Sequence, residues 1–397
     1  MQELSKRIKS LSESQTIAMA QKSRELKASG KDIISLSLGE PDFPTPDFIK
    51  EAAKKAIDEN YTSYTPVSGY DELKQAIVNK FKRDNDLSYE SDQIIVSTGA
   101  KQSIANAVLS LVNPGDEVII PTPYWVSYLE LVKLAEGIPV FVEGKLENDF
   151  KITGSQLRGK LCSKSKLMIF SSPCNPTGSI YSKPELQSLA EVIAQKNDFY
   201  VISDEIYEHI NFIGKHESLA QFSSIYDQVI TVNGLSKGFS MTGWRIGYLG
   251  ASKWISKACD KMQGQVTSGA NSIAQRAAIT ALNALPEATY QMRDAFKKRR
   301  DILVKRLKSI KGLVVNIPEG AFYVFPDVSF FFGKKYGSHR IDNAGDFCMY
   351  LLEEAEVAMV TGEAFGNPNC VRISYATSEE MLNKAIDRIE KALEQLS

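Results

Sequence analysis

Four short apolar runs constrain this chain more than any other feature. Residues 93–97 (QIIVS), 166–170 (KLMIF), 199–203 (FYVIS) and 228–232 (QVITV) each read as a buried strand, and each stops at a turn of small or polar residues. Helix-patterned stretches lie between them. This alternation builds an open α/β sheet, in which ligands gather at the carboxyl ends of the strands. Those ends carry Gly99, Asn175, Asp204 and Lys237, so fold logic collects four residues that are far apart in the chain.

The last strand end is the most informative. Residues 233–247 (NGLSKGFSMTGWRIG) set Lys237 among serines and glycines, with Arg245 further along the same loop. A loop lysine is ordinarily a solvated surface group. At the end of a buried strand it is partly desolvated instead, which lowers its pKa and suits it to form a Schiff base. Small neighbours let a ligand approach the backbone, and a nearby arginine suits a phosphate. A lysine holding an aldehyde cofactor beside a phosphate site is the pyridoxal phosphate arrangement.

Other residues carry two readings each. An acid ending an apolar strand is costly unless partnered, so Asp204 is expected to have a partner. Gly99-Ala100-Lys101 joins a strand to a helix N-terminus, a geometry that binds phosphate through free N–H groups, although many such turns bind nothing. Lys101 opposes the helix dipole, a local conflict that hints at a functional duty. Asn175, in the turn 172–178, can donate to a ring hydroxyl. Residues 39–43 (GEPDF) form either a proline-punctuated loop or a substrate loop with the Gly39 backbone facing the site. Tyr64 is a surface-loop residue or a phosphate ligand. Trp125 packs in the core or stacks on a flat ring. Arg372 lies on a solvent face or clamps a carboxylate.

Size and charge exclude several classes. A chain of 397 residues suits one large and one smaller domain. A net charge of −1 offers no basic surface for nucleic acid. No signal-like apolar core opens the chain and no run reaches membrane-spanning length, so a cytoplasmic location is expected. The five cysteines include no C-x-x-C and read as reduced thiols. A metal site pairing His209 with His216 lacks a third ligand nearby in sequence, and no metal is expected.

Further helices are expected at 17–28, 71–83, 183–195, 286–310, 342–355 and 378–395, with another from Pro46 at a first helical position to residue 60. Further strands are expected at 33–38, 117–120, 140–142, 313–316, 321–325, 357–360 and 371–374. The basic run at 297–300 reads as a solvated helix face.

Taken together, GEPDF, YWVSY (124–128), SPCNPTG (172–178), SDEIYE (203–208), SKGFSMTGWRIGY (236–248) and VRISYA (371–376) resemble the class I aminotransferases of fold type I. Within them they are most similar to the bacterial aspartate aminotransferase subgroup that includes the Thermus enzymes. The resemblance implies a large α/β domain with a mostly parallel, seven-stranded sheet flanked by helices, plus a smaller α+β domain built from both termini. The corresponding segments are an arm and part of the small domain at 1–45, the cofactor domain at 46–285, and the small domain with its long connecting helix at 286–397. It also implies a homodimer with shared active sites.

By matching motif, Lys237 corresponds to the lysine bonded to pyridoxal phosphate, and Asp204 to the acid that keeps the pyridine nitrogen protonated. Tyr207 and Asn175 match the pair on the ring's phenolic oxygen, and Trp125 the stacked ring. Gly99, Ala100, Ser236 and Arg245 fall at phosphate positions, and Tyr64 at one that reaches the neighbouring subunit's phosphate. Arg372 matches the α-carboxylate clamp, with the Gly39 backbone nearby. Lys101 and Thr16 match subgroup residues that meet a dicarboxylic substrate. Two departures stand out: Gly234 replaces a common phosphate-binding serine, and Cys174 replaces a common asparagine.

The activity implied is ping-pong transamination between aspartate or glutamate and a 2-oxo acid (oxaloacetate or 2-oxoglutarate), with prephenate a further acceptor. The competing readings are an aromatic or neutral amino acid aminotransferase, a C–S lyase of the same fold, and a ligand-sensing regulator, which would need a DNA-binding segment.

Overall fold

The computed structural model describes residues 4–13 and 15–397. Seven strands form the central sheet: β1 (Ile94–Ser97), β2 (Glu117–Thr122), β3 (Ile138–Glu143), β4 (Ser165–Ser171), β5 (Tyr200–Asp204), β6 (Val229–Gly234) and β7 (Gly247–Gly250). Their order is β1-β7-β6-β5-β4-β2-β3, and only β7 runs antiparallel to its neighbours.

Strands β1, β5 and β6 are apolar on both faces because helices cover both. Ile95, Ile120, Ile169, Ile202 and Val232 pack on the helices Ala100–Leu111, Ser127–Leu134 and Lys253–Val266. Ile94, Ile119, Met168, Val201 and Val229 face the opposite core, built on Asp47–Asp58, Asp71–Lys80, Lys183–Ile193 and Ser272–Asn283. Local signals set several helix ends. Ser182 and Glu185 form a capping box on Lys183–Ile193, and Ser378 caps Glu379–Glu394 through the Met381 N–H.

A second core joins the two ends of the chain. Ile34–Ser35 pairs in parallel with Val357–Ala358, and Val371–Ser374 lies between Val360–Thr361 and Tyr323–Val324 in an antiparallel sheet. The helices Tyr290–Ser309, Ala344–Glu354 and Glu379–Glu394 cover it.

Strand register positions the site. Ser171 pairs with Asp204, and Asp204 with Val232, so the ends of β4 and β5 are level and β6 runs two residues further, to Gly234. Ser97 pairs with Gly247, which also pairs with Gly234. All these residues lie on one edge of the sheet.

Several expectations needed correction. Strand β7 and the helix Lys253–Val266 went unrecognised, because GYLG has no β-branched residue and two glycines. Pro46 precedes its helix at the N-cap position. Residues 313–316 form no strand, only a single bridge from Val314 to Asp327. The basic run is split: Lys297 and Lys298 are exposed, whereas Arg299 and Arg300 are buried. Arg299 holds the Asp42 carboxylate through two hydrogen bonds of 2.7 and 3.0 Å, tying the 39–43 loop to the long helix.

Candidate active site

The cavity at the sheet's carboxyl edge has a volume of about 320 Å³. It collects Thr16, Gly39, Ala100, Lys101, Trp125, Asn175, Asp204, Tyr207, Ser236, Lys237, Arg245 and Arg372. Thus all but two of the candidate residues line a single space. Gly99 lies just behind it, and a Cβ there would collide with the Arg245 guanidinium. Tyr64 is outside it, with 99% of its surface exposed.

Lys237 is a half-buried cation with no carboxylate partner among the described residues. Its Nζ donates to the Gly39 carbonyl at 2.5 Å. Burial brings its pKa down to about 8; Arg372 and Arg245 push the same way, while Glu40 and Asp204 oppose them.

Asp204 ends β5 and is 4% exposed. Burial raises its pKa to about 6, against the stabilising effect of the Tyr128 hydroxyl, which donates to Oδ2 at 2.7 Å. The Ile206 N–H also donates to Oδ1 at 3.3 Å. A buried acid with only neutral donors fits a cationic ring N–H.

Arg372 is 2% exposed and has no acid beside it among the described residues, only the phenols of Tyr323 and Tyr207. It donates to Asn175 Oδ1 at 3.1 Å and to the Ser37 carbonyl at 2.6 Å, while its Nε has no partner. A buried guanidinium with unused donors fits a carboxylate from outside the chain.

The third element is a backbone cradle. Gly99, at φ 84°, caps the helix Ala100–Leu111 with no side chain over its first N–H groups. A Cβ on Gly247 would collide with the Ala100 nitrogen, so β7 must carry glycine there. Arg245 projects alongside, bonded among the described residues only to the carbonyls of Thr242 and Thr98. Helix N–H groups with an unneutralised arginine fit a phosphate. The absence of a side chain at Gly234 has a steric reason: a Cβ would meet the Ile246 carbonyl oxygen at 2.9 Å and Gly247 Cα at 3.0 Å.

The mouth is lined by Thr16 and Ile17 of the helix Gln15–Ala28. Thr16 Oγ1 is buried and unpartnered. Lys101 Nζ lies over the Trp125 ring, 5.0 Å from its centroid, and burial lowers its pKa, helped by Arg245.

Sequence reasoning assigned no role to Tyr128, Tyr323 or the Ser37 carbonyl. Tyr128 stands one helical turn beyond Trp125, a spacing that could have marked it. Tyr323 has no such local signal. Cys174 lines a different, smaller cavity, and burial raises its thiol pKa. His209 and His216 do converge on acids, in the groups Asp84–Glu208–His209 and Glu205–Glu208–His216. The positive charge there comes from Lys80, which pairs with Glu208 and donates to Asn85 at 2.8 Å.

A half-buried lysine, a buried acid, a buried arginine with unused donors and free helix N–H groups in one cavity fit a cofactor that carries both an aldehyde and a phosphate. Comparison with known proteins agrees. Residues 31–389 match the family described as aminotransferase class I and II, and the chain belongs to that family. It is 47% identical over 395 residues to a bifunctional aspartate aminotransferase and glutamate/aspartate-prephenate aminotransferase from Petunia hybrida, covering 98% of this chain and 82% of the relative. An aspartate aminotransferase structure from Rhizobium meliloti superposes with a TM-score of 0.97 at 42% identity, covering 100% of both chains. That of Thermus thermophilus with maleate gives 0.93 at 39% identity, covering 99% of this chain and 100% of the other.

Proposed function

We propose that this aminotransferase moves the amino group of aspartate or glutamate to a 2-oxo acid such as oxaloacetate or 2-oxoglutarate, with pyridoxal 5'-phosphate as cofactor and prephenate as a further acceptor. One observation carries the reading: Lys237, half-buried and with its pKa brought to about 8, shares a cavity with Asp204 and Arg372 and has no acid bonded to it among the described residues.

In this reading Lys237 would hold the cofactor covalently and Asp204 would keep its ring nitrogen protonated. Asn175 and Tyr207 would donate to the ring's phenolic oxygen, and Trp125 would cover the ring. The N–H groups behind Gly99 and Ala100, with Ser236 and Arg245, would hold the phosphate. Full exposure of Tyr64 agrees with a homodimer in which the partner subunit's Tyr64 completes that cradle. When bound, the cofactor supplies an electron sink for the charge left at the substrate Cα.

The chain's own residues do the rest. Arg372 binds the α-carboxylate beside Gly39. Lys101 and Thr16 meet the distal carboxylate, by charge in one case and by the unpartnered hydroxyl in the other. Lys237 Nζ, released from the cofactor while substrate is bound, takes the Cα proton in its neutral form and later returns it. A pKa near 8 leaves a usable fraction neutral near pH 7, which an ordinary lysine would not have. We further propose that the chain divides at about residues 45 and 285, as the resemblance implies, and that it works in the cytoplasm. Among the described residues no helix is long and apolar enough to cross a membrane.

The test is the visible spectrum of the cofactor-loaded protein, titrated with single amino acids and no 2-oxo acid. Aspartate and glutamate should convert the chromophore to its amine form, and alanine or phenylalanine barely. Conversion chiefly by neutral or aromatic amino acids would overturn the dicarboxylate specificity. Failure to bind pyridoxal phosphate would overturn the whole reading.

A further inference from the structure

We propose that Tyr323 is a positioning residue that couples the carboxylate clamp, Arg372, to the hydroxyl of Tyr207. The proposal rests on the transaminase reading above and adds to it a residue with no assigned role.

Tyr323 and Tyr207 are fully buried, at 0% and 3% exposure. Their hydroxyl oxygens are 2.7 Å apart, and among the described residues neither has another hydrogen-bond partner. A phenol carries one proton. If Tyr207 donated to Tyr323, it would have nothing left to donate into the cavity. With Tyr323 as donor, the Tyr207 proton is free and its O–H is polarised into a better donor.

The same ring holds two other parts of the site. The Arg372 guanidinium lies over it, 4.6 Å from the centroid. Its hydroxyl also packs against Gly39, where a Cβ would sit 2.6 Å from it, and the Gly39 carbonyl is the one that binds Lys237. Tyr323 belongs to the sheet that carries Arg372, and Tyr207 follows β5 of the central sheet. The pair therefore links the small sheet to the end of β5, with both rings packed in the second core. The charged and titratable groups around it are Arg372, Asp204, Lys237, Arg245 and Glu40.

Two variants of the pyridoxal phosphate-loaded enzyme separate the two couplings. Tyr323→Phe keeps the ring and removes the donor. The pH midpoint of the visible chromophore should rise by about half a unit or more, the order expected for one lost hydrogen bond. Maleate, followed by its spectral shift, should bind within about twofold of the parent, the cation–π seat being intact. Tyr323→Leu removes the ring as well and should weaken maleate binding by about five- to tenfold. A midpoint unchanged in Tyr323→Phe would overturn the link to Tyr207. Maleate affinity unchanged in Tyr323→Leu would overturn the link to Arg372. Should the leucine variant not fold, the phenylalanine variant decides alone, because the proposal requires its midpoint to move. A parent protein that takes up no pyridoxal phosphate would instead defeat the reading on which this one stands.

Discussion

Arg372 donates through Nη1 to Asn175 Oδ1 at 3.1 Å, joining residues 197 positions apart and from different cores. The bond orients both partners. It holds the guanidinium in place without neutralising it, and it turns the Asn175 amide so that Nδ2 remains a donor. Asn175→Asp would place an anion on the clamp. The KM for aspartate should rise by about 10- to 100-fold, as for one charged hydrogen bond lost. Steady-state kinetics against Asn175→Ala, which leaves Arg372 uncompensated, checks this: the alanine variant should bind substrate better than the aspartate variant.

Lys237→Ala removes the base and the covalent anchor together. Transamination should fall by at least about 10³-fold. Single-turnover spectra with aspartate should show no conversion. Full turnover would remove Lys237 from the mechanism.

Lys101→Ala should cost aspartate about 10- to 100-fold in kcat/KM and alanine less than about threefold, since only aspartate has a distal carboxylate to lose a charged partner. Equal losses for both substrates would assign Lys101 to the cofactor or to the fold.

Asp204 gives a pH signature in the cofactor-free protein. Its folded pKa, about 6, is above the usual 3.8, so the folded state holds a proton that the unfolded chain releases. The stability it contributes is complete below pH 3.8 and is lost as pH rises through 6. The loss amounts to about 3 kcal/mol. Asp204→Asn should flatten this part of the stability profile in urea titrations and be more stable than the parent at pH 7, although its loaded form should be nearly inactive.

Lys80→Met should destabilise the chain by about 3–5 kcal/mol by leaving Glu208 buried without its cation. The urea midpoint reports it. Adding Glu208→Gln to that variant should recover much of the loss.

The sequence marked many of these residues because their surroundings are local. Gly99, Asn175, Asp204 and Lys237 each follow an apolar run, and four runs separated by helices can pair into one sheet with their ends together. Strand β7 was overlooked for a related reason. Gly247 is required by the Ala100 backbone and Gly250 by the Tyr89 ring, where a Cβ would sit 2.9 Å away, constraints that leave no apolar pattern behind. Arg299 and Arg300 looked like a solvated face because their partners, Asp42 and the Pro318 carbonyl, are distant in sequence.

The α/β class, the lysine and acid proposed to carry the chemistry, and the order of the motifs are legible in the chain alone, since these follow from periodicity and from residue types at strand ends. Which charges stay unneutralised follows instead from long-range contacts. Among the described residues Arg372 and Lys237 have no carboxylate partner, while Arg299 and Lys80 are paired, and nothing in their own neighbourhoods distinguishes them. Burial and partnership are set by segments hundreds of residues apart. A charge is available to a ligand only when no such segment has already matched it.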